Sequence, residues 1–335
     1  MKTCGLIGWV AFVISSVAYL PTLEAIDDCF QVEGLLVLVF TPVDDYGNIN
    51  YDIIPQYAQY LRDSGVNGIV VGATVGEGPS LNVTTKMKLL DAWVAVARPL
   101  KLIIVASVGA VPFPDTLQLT RYAEKLRVDA IFALPEIYFK PECAEDLVYN
   151  IQLIAEAAPD TAIVYDDIPQ FTGVEVDIVK FFELATEKIP NFRGVKSNEL
   201  ENLLLLRPKK NDQQKLYAAD YFTLAPAVFL RDLEYVSVGA NYFPELVLNI
   251  INYGEKGNLT RATNDYQRLI DLIGIITEKG NLVAALKRAL PLITGIDAGP
   301  PLEPIKDLTV DEKENQVQQL KSKNVPIVTS ETYYH

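Results

Sequence analysis

Along residues 35–292, short apolar runs alternate with longer segments whose apolar residues recur at three- and four-residue spacing. The runs at 35–40, 68–72, 102–107, 130–134, 162–165, 194–196, 215–219 and 235–240 read as strands buried on both faces. Between them, segments such as 54–64, 85–97 and 115–126 carry apolar stripes separated by charges, the pattern of amphipathic helices. Eight such units predict an α/β fold, a (β/α)8 barrel. The last barrel helix falls at 245–253, and a C-terminal helical extension follows over 261–278 and 282–292. An open doubly wound sheet would show a glycine-rich phosphate loop after an early strand, and no such spacing occurs. After Gly299-Pro300-Pro301 the chain turns charged and then polar, which bounds the barrel and its helices to 33–310 and leaves a polar tail over 311–335.

Composition narrows the role more than the fold. A chain of 335 residues, half of them hydrophobic, can bury one large core. Its formal net charge of -14 opposes binding to nucleic acid or to anionic lipid. Lys2, the apolar run 6–14 and Ser16-Val17-Ala18 have the order of a signal peptide over 1–18, and the run is shorter than the roughly 20 residues of a spanning helix. The expectation is a protein of the secretory lumen or the exterior, off the membrane once the peptide is cleaved. There Cys29 and Cys143 form an even pair, for which a disulfide and two separate thiols are both open. In that compartment Asn82-Val83-Thr84 and Asn258-Leu259-Thr260 are glycosylation sequons.

The only histidine is the last residue, His335, so chemistry by a core histidine is excluded. Three cysteines and one histidine lack metal-ligand spacing, and neither metal nor cofactor is expected. What remains is lysine, tyrosine, threonine and carboxylate chemistry, sought where barrel strands end and loops begin. Lys196 ends the sixth strand. A lone ammonium projecting into an apolar barrel is costly, and a desolvated amine is what attack on a keto carbonyl requires. A surface lysine just past a strand is the competing reading.

Several motifs then point the same way. Asp44-Asp45-Tyr46-Gly47-Asn48 follows the first strand. Gly72-Ala73-Thr74-Val75-Gly76-Glu77-Gly78 follows the second. Ile168-Pro169-Gln170-Phe171-Thr172-Gly173 and Gly194-Val195-Lys196 belong to the fifth and sixth. In order and separation, over roughly residues 33–295, they resemble the dihydrodipicolinate synthase and N-acetylneuraminate lyase family of class I aldolases. The resemblance implies a barrel, a homotetramer or dimer, and a small keto-acid or sialic acid substrate. It also implies reversible aldol cleavage through an imine on Lys196, which in the lyases gives pyruvate and an N-acetylated amino sugar. Thr74, Val75 and Gly76 would form the carboxylate loop, with Asn198 and Asp220 at the substrate.

Departures from the pattern cluster at the site. Val75 stands where the family has a second threonine. The proton-passing tyrosine's place is held by Asp166, with Tyr165 one residue earlier and on the opposite strand face unless a bulge intervenes. If Asp166 faces the site, its charge opposes the mechanism twice: it holds Lys196 as an ammonium, and at ~4 Å it repels the substrate carboxylate by about 4 kcal/mol at an effective dielectric near 20, while a protonated Asp166 would still serve as an acid. Tyr221 replaces a glutamate and Ala240 a serine that hold the sugar tail. Phe171 takes the place of the carboxylate-binding arginine of the synthases. Beside the lyase reading therefore stand two others, a secreted barrel without catalysis kept for binding, and a pyruvate aldolase with another aldehyde.

Overall fold

A computed structural model of the chain describes residues 30–109 and 111–328. The signal-peptide expectation, Cys29 and His335 lie outside them. Eight parallel strands close into a barrel in sequence order: β1 (Leu35–Leu38), β2 (Gly68–Val71), β3 (Ile103–Val108), β4 (Ala130–Ala133), β5 (Ile163–Asp167), β6 (Phe192–Ser197), β7 (Lys215–Ala219) and β8 (Glu234–Val236). The expected (β/α)8 architecture is thus present. Alternation divides each strand between two cores. Leu36, Val70, Val105, Phe132, Val164 and Tyr217 fill the barrel, and Phe30 and Val32 join them from the preceding segment. The opposite faces, with Val37, Ile69, Ile131 and Val195, pack against the outer helices. The helix Ile54–Asp63 shows how: Ile54, Tyr57, Ala58 and Leu61, three or four apart, are its buried residues.

Two expected elements end elsewhere. β8 stops at Val236, and Gly239–Asn241 instead forms a short 3-10 turn. Asn241 supports that turn: its Nδ2 donates to the carbonyls of Leu38 and Val238, and its Oδ1 accepts from the Tyr57 hydroxyl. The start of the polar tail is a helix, Val310–Ser322. Thr309 and Glu312 make a reciprocal capping box, and Val317 and Leu320 are buried against the core. The Arg288 guanidinium and the Lys313 ammonium both reach the Asp307 carboxylate, tying this helix to Leu282–Thr294. A segment dominated by charge gave no apolar stripe wide enough to stand out, because polar stems cover part of its buried face.

One irregularity sets the site. In the pairing of β5 with β6, Ile163 lies opposite Phe192 but Val164 lies opposite Gly194, so Arg193 is an extra residue on β6. Gly194 has φ +137°, and a Cβ there would sit 1.8 Å from the Lys215 carbonyl oxygen, so only glycine fits. Beyond the bulge the register places Asp166 opposite Lys196 and Asp167 opposite Ser197.

Candidate active site

At the C-terminal mouth of the barrel lies a cavity of about 220 Å3. Lys196, Asn198, Asp220, Thr74 and Val75 all line it, so the structure gathers five of the expected site residues in one place. Lys196 projects inward from β6 with only 4% of its surface exposed. Contrary to the expectation of a lone amine, its Nζ donates to Asp166 Oδ1 at 2.6 Å, and the Asp166 side chain is equally buried. The charge that sequence reasoning set against the substrate carboxylate is matched within the pair.

Tyr165 is placed away from this dyad. The bulge lies on β6 rather than β5, so Tyr165 keeps the outward parity of Val195 and packs on Phe181 at a ring separation of 4.8 Å. Burial holds its phenol well above the ordinary value, with the Asp167 and Asp166 charges adding to the effect. Of the two residues expected as proton carrier, Asp166 is the one bonded to Lys196. Gly76 is not among the residues lining the cavity. Its carbonyl accepts from the Thr41 hydroxyl at 2.5 Å, and a Cβ would meet the Val39 carbonyl oxygen at 2.9 Å, so it fits the loop against β1. Ala240 likewise packs in the outer core.

Behind the dyad, Asp167 accepts from Ser197 Oγ at 2.7 Å and from Asn202 Nδ2 at 2.8 Å. Burial raises its pKa in spite of these bonds. Asp220 sits half-buried at the end of β7, where burial raises its pKa and the Lys196 charge acts against the rise. Asn198 Oδ1 is buried and has no hydrogen-bond partner among the described residues. An acceptor left bare beside an amine invites a donor on a ligand.

Sequence reasoning missed the far wall. Leu282 and Leu286, one helical turn apart on Leu282–Thr294, line the cavity, so the C-terminal extension is part of the site. Their spacing marks a helix face, but nothing local says that the face meets a barrel mouth. The sequons turn out to be helix caps. Asn82 accepts from Thr85 N and Asn258 from Arg261 N, both exposed on the surface. Cys143 is free and exposed.

The profile of the dihydrodipicolinate synthetase family matches residues 31–323. The chain belongs to that family. Within it, the chain is similar to N-acetylneuraminate lyase of Sus scrofa, 27% identical over 299 residues, which span 88% of this chain and 94% of the relative. The lyase of Xenopus tropicalis is 30% identical over 281 residues, 82% of this chain and 91% of its own. Among solved structures, N-acetylneuraminate lyase from Aliivibrio salmonicida superposes with a TM-score of 0.82 at 30% identity, over 88% of this chain and 97% of that one. A catalytic lysine mutant of Ruminococcus gnavus sialic acid aldolase superposes with a TM-score of 0.80 at 25% identity, over 88% and 97% of the two chains.

Proposed function

We propose that this member of the family is an imine-forming aldolase, a carbon-carbon lyase of the N-acetylneuraminate lyase kind, with Lys196 as nucleophile and Asp166 as proton carrier. The observation that carries it is a buried lysine at the mouth of the barrel whose Nζ is 2.6 Å from a carboxylate in an open cavity. Asp166 takes a proton from Lys196, freeing the amine to attack the keto carbon. It returns that proton to the hydroxyl that leaves the carbinolamine as water. The cationic imine then faces the Asp166 carboxylate, so the pair's charges are the same before and after, and a preplaced anion stabilises the charge that forms. For cleavage, Asp166 takes the proton of the hydroxyl on the carbon being released. The carbon-carbon electron pair moves into the imine, giving an enamine and an aldehyde. Thr74, at the loop after β2, is the hydroxyl donor available to a keto-acid carboxylate, and Asn198 and Asp220 face the remainder of the substrate.

In the reaction of the lyases a sialic acid yields pyruvate and N-acetylmannosamine. A second version keeps pyruvate and changes the aldehyde, and Tyr221 in the cavity wall, where the resemblance puts a sugar-holding glutamate, favours it. Reduction with borohydride in the presence of pyruvate, read by intact mass, tests the shared step. The expected result is one pyruvate adduct per chain, absent from Lys196→Ala. No adduct from a folded protein, under conditions that label an active lyase, would leave a barrel that binds without catalysis. The N-terminal run further supports a secreted protein, for which N-terminal sequencing of the mature chain should begin after Ala18.

A further inference from the structure

The two sides of the cavity differ in character. Lys196 and Asn198 belong to β6 and the loop beyond, with Asp166 of β5 bonded to Lys196, whereas the β8 and β1 side presents Leu38, Val236 and Val238. Leu282, Val283 and Leu286 close that side from the C-terminal helix, and Phe171, 55% exposed, stands at the rim. The polar side chains of the cavity, Thr74, Gln170, Lys196, Asn198, Asp220 and Tyr221, come from other elements, and this wall of six aliphatic side chains offers no side-chain hydrogen-bond partner. A tail bearing several hydroxyls and laid on these aliphatic side chains would strip water from each hydroxyl that faces them and return no partner there. Every unmatched hydroxyl weakens binding. The cavity of about 220 Å3 also falls below the roughly 300–1,000 Å3 of pockets that enclose drug-sized ligands.

We propose that the aldehyde half of the substrate is short and apolar, a branched alkyl or aryl group carried on the single carbinol carbon, rather than a polyhydroxylated sugar chain. The proposal rests on the imine reading above and specifies its second substrate. The Lys196 imine of pyruvate loses a methyl proton to Asp166 and becomes an enamine. Its carbon attacks the aldehyde, one carbon-carbon bond forms, and Asp166 returns the proton to the new alkoxide. Water then adds to the imine and releases a 4-hydroxy-2-oxo acid and the free amine. No oxidant or reductant enters. Asn198 Oδ1 accepts from the new hydroxyl, and the alkyl or aryl group lies on Leu282, Leu286 and Val238.

The test combines pyruvate with isobutyraldehyde, benzaldehyde or N-acetylmannosamine at equal concentrations and measures each aldol product by mass spectrometry, with borohydride trapping run in parallel. The expected result is at least about tenfold faster product formation from the apolar aldehydes, since one or two matched methylenes in an apolar pocket discriminate by that much. Leu282→Ser, at a site 41% exposed, should narrow the preference, and Val238→Ser should narrow it further. A trapped pyruvate adduct with equal or faster use of N-acetylmannosamine, or with no use of any aldehyde, overturns this proposal and leaves the imine reading in place. Absence of the adduct removes both.

Discussion

Among the described residues, two buried lysine–carboxylate pairs share the same 2.6 Å separation, and their surroundings differ. Lys287 and Glu77 are sealed, with no exposed side-chain surface on either partner. Glu77 has φ +54° in the loop after β2, and its second oxygen accepts from Leu302 N, so one carboxylate ties the substrate loop to the Leu282–Thr294 helix and to the segment following it. Burial lowers the Lys287 pKa and the Glu77 charge acts to restore it. Lys196 instead lines a cavity, and its partner Asp166 keeps 4% of its side chain exposed. A saturated, enclosed pair holds structure together. A pair whose lysine lines a cavity is the one placed for the imine chemistry proposed above.

Substitutions should separate the two pairs. The largest effect is expected at Asp166→Asn, which removes the proton carrier and should slow imine trapping by about 10²–10⁴-fold. Unfolding free energy should fall less than for the sealed Glu77 pair, since Lys196 lines a cavity and Lys287 does not; equal loss of stability and trapping would make the dyad a second structural pair. Glu77→Gln should do the reverse, destabilising by about 3–5 kcal/mol in urea melts while trapping per folded molecule falls less than tenfold. Its partner variant Lys287→Met should be as unstable. Val75→Thr restores a hydroxyl beside Thr74 and should lower the pyruvate concentration for half-maximal trapping severalfold, in line with the ~1 kcal/mol of one hydrogen bond.

The smallest effect concerns pH. Burial raises Asp167 above its unfolded value of 3.8, so as pH rises the unfolded chain ionises first and stability falls until the folded carboxyl has also lost its proton. Asp167→Asn keeps the bonds from Ser197 and Asn202 without the buried charge. Its melting temperature should exceed that of the parent at pH 7, with the difference shrinking on acidification toward 3.8.

Much of the barrel was legible because its strands are continuous apolar runs and its helices keep one apolar stripe. Lys196 was legible as the end of such a run. Asp166 was legible as a charge that would hold Lys196 if it faced the site; that it does face it was not, because the pairing depends on one extra residue, Arg193, and on a glycine, Gly194, that alone fits beside the Lys215 carbonyl. Counting from Pro169 found the right position yet could not tell a hostile carboxylate from a matched one. The role of Glu77 was hidden for the same reason, since its partners lie 210 and 225 residues away in the chain. Leu282 and Leu286 read as helix core because contact with the mouth is a long-range event that periodicity does not encode.

The most direct test of the contrast is to locate the imine. The protein is incubated with pyruvate, reduced with borohydride, digested and sequenced by tandem mass spectrometry. The account predicts that the adduct sits on Lys196, with Lys287 unmodified despite the same carboxylate at the same distance. An adduct on Lys287, or on surface lysines with Lys196 untouched, would contradict it.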